Sequence, residues 1–138
     1  MKPTAEELRT FSDLIESILE GARVRESRLS SALPFSFRYG NTQADMTNWE
    51  RTISTEKSAI ATSYHVLWTD PATRLRVSWD VVSFARYPAI EYVLHLTNSG
   101  NTDSLLIEKL MALDLCVAVS ADEAVFLHTS LGGTSVLN

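Results

Sequence analysis

From Pro34 onward the apolar residues of this chain recur at every second position, and that period limits its fold more than any motif does. Side chains at i, i+2 and i+4 line one face of a strand. Leu75, Val77, Trp79 and Val81 alternate with Arg76, Ser78 and Asp80, which describes a strand with one face buried and one face wet. Ile60, Thr62, Tyr64, Val66 and Trp68 repeat the pattern with Ser63 and His65 opposite, as do Ile90, Tyr92, Leu94 and Leu96 with Glu91 and His95 opposite. Phe35, Phe37 and Tyr39 begin the series before Gly40-Asn41 breaks it. Between strands, Thr69-Asp70-Pro71-Ala72-Thr73 has the chemistry of a turn, because proline presets φ and the Asp70 carboxylate can close an Asx hydrogen bond. Asn98-Ser99-Gly100-Asn101 predicts a second turn.

Leu105 to Val119 is apolar over a length beyond the usual ~3–10 residues of a strand. Leu105, Ile107, Leu113, Leu115 and Val117 share one parity around Lys109, while Leu110, Ala112 and Cys116 fill the other. That pattern predicts a long strand covered on both faces and bent or bulged near its middle. A turn at Ser120-Ala121-Asp122-Glu123 and a further strand over Ala124 to Leu131 complete the series. The sum is an all-β, antiparallel sandwich.

Before Pro34 the period is helical. Leu8, Phe11, Leu14, Ile15, Ile18 and Leu19 lie on one face, Thr4 and Glu7 have the spacing of a capping box, and Gly21 stands where a C′ glycine would end the helix. Ala22 to Leu33, with Arg23, Arg25 and Arg28 among serines, is a polar connection. The chain therefore divides into an amphipathic N-terminal helix with its linker, 1–33, and a β-sandwich, 34–138.

Composition excludes several classes. Hydrophobic residues at 45% and charged residues at 21% suit a globular domain and not a disordered tail. One cysteine, Cys116, allows no intrachain disulfide and no structural zinc site that needs two thiolates. A net charge of −5 offers no basic footprint, so neither nucleic acid nor membrane is an expected partner. The start, Met1 to Glu7, carries no apolar h-region, from which a cytoplasmic location is expected.

Candidate chemistry is sparse. The sequence carries no P-loop, GxGxxG, HExxH or GxSxG, and no cofactor or metal is expected. His65, His95 and His128 fall on different expected strands, with no short spacing to join them. Asp114 is a charge in an apolar run, expected to be capped by a neighbouring donor. The polar stretch Gly40 to Trp49 combines Asn41, Gln43, Asp45 and Asn48 with an indole, the mixture that binds sugars: ring against C–H patches, amide or carboxylate against hydroxyls. A loop with Trp49 turned into the core fits the same residues.

The phrases Pro34-Phe-Ser-Phe-Arg-Tyr-Gly40, Trp49-Glu-Arg51, Leu67-Trp-Thr-Asp-Pro71, Tyr87-Pro-Ala-Ile-Glu-Tyr-Val93, Leu96-Thr-Asn-Ser-Gly100 and Ala112-Leu-Asp114, in that order, resemble the amino-terminal portion of bacterial alpha-galactosidase-like members of glycoside hydrolase family 36. The resemblance implies an incomplete β-supersandwich of the galactose-mutarotase-like kind, truncated before a catalytic (β/α)8 barrel that would be its main partner. In that family both catalytic aspartates belong to the barrel, so the resemblance implies no catalytic residue here. It implies substrate contact by the loop after the first strand, at Asp45 and Trp49, with a carbohydrate as ligand and a homo-oligomer as a further expectation. Two alternatives stay open: a free-standing carbohydrate-binding module, and a small mutarotase-like enzyme, which would need a paired His and Glu on neighbouring strands, a pairing that sequence does not establish for His95 with Glu91.

Overall fold

The computed structural model describes residues 3–23 and 33–114. Its elements are α1 (Ala5–Arg23), β1 (Ser36–Tyr39), β2 (Thr42–Gln43), β3 (Glu50–Lys57), β4 (Ala61–Thr69), β5 (Leu75–Phe84), β6 (Ile90–Asn98) and β7 (Ile107–Met111). Strands β3 to β6 form an antiparallel meander, and β2, β1 and β7 form a second antiparallel sheet in that order. The fold is all-β and sandwich-like, with one N-terminal helix.

The period-two reading places the core correctly. Tyr64, Val66 and Trp68 of β4 and Leu75, Val77, Trp79 and Val81 of β5 are buried, and they meet Phe35 and Phe37 from the β1 segment. Phe35 touches both Trp68 and Trp79, with ring centroids 6.0 and 6.1 Å apart, so the two sheets are joined through aromatic edges. Trp79 is fully buried and its indole N–H has no hydrogen-bond acceptor; the ring lies between Phe35 and Tyr92. From β6, Ile90, Tyr92, Leu94 and Leu96 pack onto this cluster half-buried.

The turns follow their chemistry. The Asp70 carboxylate accepts from Ala72 N–H and from the Thr73 hydroxyl, and Arg74 closes the turn with φ of 65°. At the second turn Gly100 N–H donates to Asn98 Oδ1, and a Cβ on Gly100 would sit 2.6 Å from the Thr73 carbonyl oxygen, so only glycine fits. Gly40, with φ of 64°, opens the two-residue turn that folds β2 back on β1.

Four expectations need correction. The helix runs through Gly21 to Arg23, because a glycine inside a helix costs only about 1 kcal/mol and does not by itself stop it. Ile15 of that helix is buried and Phe11 packs against the core, as the apolar face requires. The polar stretch after Gly40 is not all loop, since Thr42 and Gln43 pair with β1. An unforeseen strand, β3, pairs with β4 over all of its eight residues. Finally, Lys109 has φ of 48° and the register slips between Ser36 and Arg38, the expected bulge; the strand spans Ile107–Met111, residues 115–119 of the expected run lie outside the described residues, and within the described part the expected cover does not reach every apolar residue. Leu105, Leu106, Leu110, Met111 and Leu113 are 46–67% exposed. Cys116, His128, the turn at Ser120–Glu123 and the strand over Ala124–Leu131 lie outside the described residues.

Candidate functional site

The loop between β2 and β3 sends its two candidate residues in opposite directions. Trp49 is buried, with its ring edge-on to Tyr39 at 5.9 Å, and belongs to the core. Asp45 is exposed at the loop tip and accepts from both the hydroxyl and the backbone N–H of Thr47. Those two bonds, the hydroxyl first, hold its carboxyl below the ordinary carboxylate value, so the tip carries a fixed anion. An anion of this kind accepts hydrogen bonds from ligand hydroxyls, but the indole is not beside it as a platform.

Asp114 behaves as its position in an apolar run requires. It accepts from the Ser36 hydroxyl, and its backbone N–H donates to the Pro34 carbonyl at 2.7 Å, which ties the end of the second sheet to its beginning.

The histidines are brought together in a way their sequence spacing hid. On the outer face of the meander His65 of β4 stands directly opposite Asp80 of β5, and its Nδ1 hydrogen-bonds the Asp80 carboxylate. His95 of β6 lies diagonally across, with Nε2 3.6 Å from the other carboxylate oxygen. All three side chains are 42–59% exposed, so the ion pairs contribute little stability. A shallow depression of about 220 Å³ beside them is lined by Ser54, Glu56, Ser63, His65, Asp80 and Val82. Glu91 is not the partner of His95: four residues along one strand separate them by about 13 Å. Among the described residues no group of three or more His, Cys, Asp or Glu side chains is arranged to hold a metal ion.

A signal for the His–Asp–His cluster was present in the turn. In an antiparallel hairpin opposite residues have a constant sum, and Thr69 opposite Arg76 places His65 opposite Asp80. A second cleft, about 320 Å³, separates α1 from the end of the meander, between Phe11 and Ile15 on one wall and Lys57, Thr62 and Phe84 on the other.

Several polar groups in and beside the turns bond within the sandwich. The Tyr39 hydroxyl meets Thr73, which donates to Asp70; Gly40 N–H donates to Leu106; Ser99 N–H and hydroxyl both donate to the Arg74 carbonyl; and the Tyr92 hydroxyl donates to the Ala112 carbonyl. They form a frame rather than a cleft. No helix of the described residues is long and apolar enough to cross a membrane. No family model, curated protein or solved structure matches the chain.

Proposed function

We propose that this chain is a non-catalytic β-sandwich of an alpha-galactosidase-type glycosidase, supporting a catalytic barrel whose parent protein removes terminal alpha-galactosides. The observation that carries the proposal is the exposure of five large apolar side chains on and beside β7: Leu105, Leu106, Leu110, Met111 and Leu113. Apolar exposure concentrated in one short stretch of chain is the kind of surface that a partner covers. The occupant that fits the order of family-like phrases is the barrel that follows such a sandwich. Engagement of the Asp70 and Asp114 carboxylates within the sandwich supports a framing role. Asp45, exposed and anionic, is the residue positioned to reach a neighbouring sugar site. Burial of Trp49 removes the aromatic platform on which a free-standing sugar-binding module would rest.

The test is the purified chain with an aryl alpha-galactoside and, separately, with galactose in a titration calorimeter. No turnover and no saturable heat are expected. Turnover above a heat-killed control, lost on replacing Asp80 by Asn, would overturn the non-catalytic role. Saturable galactose binding without turnover would favour the binding module instead.

A further inference from the structure

We propose that the outer face of the meander carries a serine–histidine–aspartate row that accepts an acyl group from a small, uncharged, activated ester. The register sets the row. Ser54 of β3 stands directly opposite His65 of β4, and His65 stands directly opposite Asp80 of β5. Hydroxyl, imidazole and carboxylate therefore follow one another across three neighbouring strands. Residues directly opposite share a face, with Cβ atoms about 4.5–5.5 Å apart. Ser63, two positions before His65, lies on the same face of β4. Ser54, Ser63, His65 and Asp80 all line the depression of about 220 Å³.

Each group has the chemistry that nucleophilic acyl transfer needs. The Asp80 carboxylate engages His65 at Nδ1, which keeps the proton on that nitrogen and leaves the lone pair on Nε2. The two ring nitrogens point in nearly opposite directions, so Nε2 faces away from Asp80. On that side of β4 the register places Ser54. His95, 3.6 Å from the other Asp80 oxygen, borders the carboxylate on its β6 side. Asp80 touches no substrate and is a positioning residue.

The reaction needs no co-reactant beyond water. The Ser54 oxygen attacks the ester carbonyl carbon while its proton passes to His65 Nε2. The carbon–oxygen bond to the alcohol then breaks, and the leaving oxygen takes that proton. Water repeats the sequence on the acyl-serine, releasing the acid and restoring the Ser54 hydroxyl. The Ser63 hydroxyl is the donor within the depression for the carbonyl oxygen as it gains negative charge.

The surroundings define the substrate. Glu56 lines the same depression as a second carboxylate beside Asp80, and the two repel an anionic acyl group. The small volume suits a short chain. The His65 and Asp80 side chains are 49% and 42% exposed, so water weakens each electrostatic contribution and restricts the reaction to good leaving groups such as an aryl oxide. The inference concerns acyl esters and stands apart from the glycosidase proposal, in which the sandwich cleaves no glycoside.

The experiment gives the full chain para-nitrophenyl acetate, follows release of the nitrophenolate, and maps the acid-quenched protein by peptide mass spectrometry. An acetyl group on Ser54 is expected. Ser54→Ala should abolish that label, and His65→Gln should slow acylation by about a hundredfold. Asp80→Asn should lower kcat with little change in KM, the split that a misaligned base produces and a reshaped depression does not. Acetylation confined to residues other than Ser54 would overturn the inference, as would an undiminished rate in His65→Gln or a raised KM with intact kcat in Asp80→Asn. Far-UV circular dichroism matching the parent chain keeps each comparison between folded proteins. None of these results bears on cleavage of an aryl alpha-galactoside, so the two proposals fail separately.

Discussion

Among the described residues β3 and β7 each have a single neighbouring strand, and their exposed side chains differ in kind. β3 is eight residues long, with both faces wet, and divides acids and bases between them. β7 is five residues long, bulged at Lys109, and surrounded by exposed leucines. A bulge and a short length discourage strand pairing, yet the uncovered apolar side chains invite a partner that covers them. The contrast gives the sandwich a polarity: exposed charges along β3, and exposed apolar side chains on and beside β7.

The largest expected effect separates the core from the exposed strand β3. Trp79→Ala, under the centre of the meander, should cost about 3–5 kcal/mol in a denaturant titration, whereas Ile53→Ala on β3 should cost less than about 1 kcal/mol. Similar losses at the two positions would mean that β3 is packed and not exposed. Next comes Trp49→Ala, just before β3, where burial against Tyr39 predicts a loss of about 3 kcal/mol; an unchanged melting temperature would place the indole outside the core and restore it as a sugar platform. Gly40→Ala should cost roughly 1–2 kcal/mol, because a left-handed backbone is strained for any L side chain and the new Cβ would stand 3.3 Å from Leu105. The smallest effect concerns Asp45. Its carboxyl is lowered in the folded chain, so its contribution is present above the ordinary value near 3.9 and is lost as pH falls through the lower folded value. Asp45→Asn should flatten the acid side of the stability profile below about pH 4; an unaltered profile would show that the Thr47 bonds do not persist in solution.

Legibility along the chain followed burial. Leu75 to Val81 announced β5 because one face is buried and the other is wet, and Asp70 and Gly100 announced their turns because the backbone there needs them. β3 went unread because neither face of Glu50–Lys57 is covered enough to impose an apolar alternation on it. The apolar run from Leu105 predicts cover on both faces, because apolar residues alone do not say which surface will meet them. Asp45 and Trp49 lie four positions apart in one loop, yet whether the indole turns inward depends on Tyr39 of β1. The His65–Asp80–His95 cluster was hidden for a related reason, since three strands in register carry it and no single stretch does.

Self-association of the purified chain tests the polarity of the sandwich most directly. Sedimentation equilibrium over a wide concentration range should show association of the parent chain, and the Leu106→Lys/Leu113→Lys double variant should remain monomeric with its melting temperature shifted little. A parent chain that stays monomeric at every concentration, or a double variant that associates as strongly as the parent, would contradict a docking side at β7.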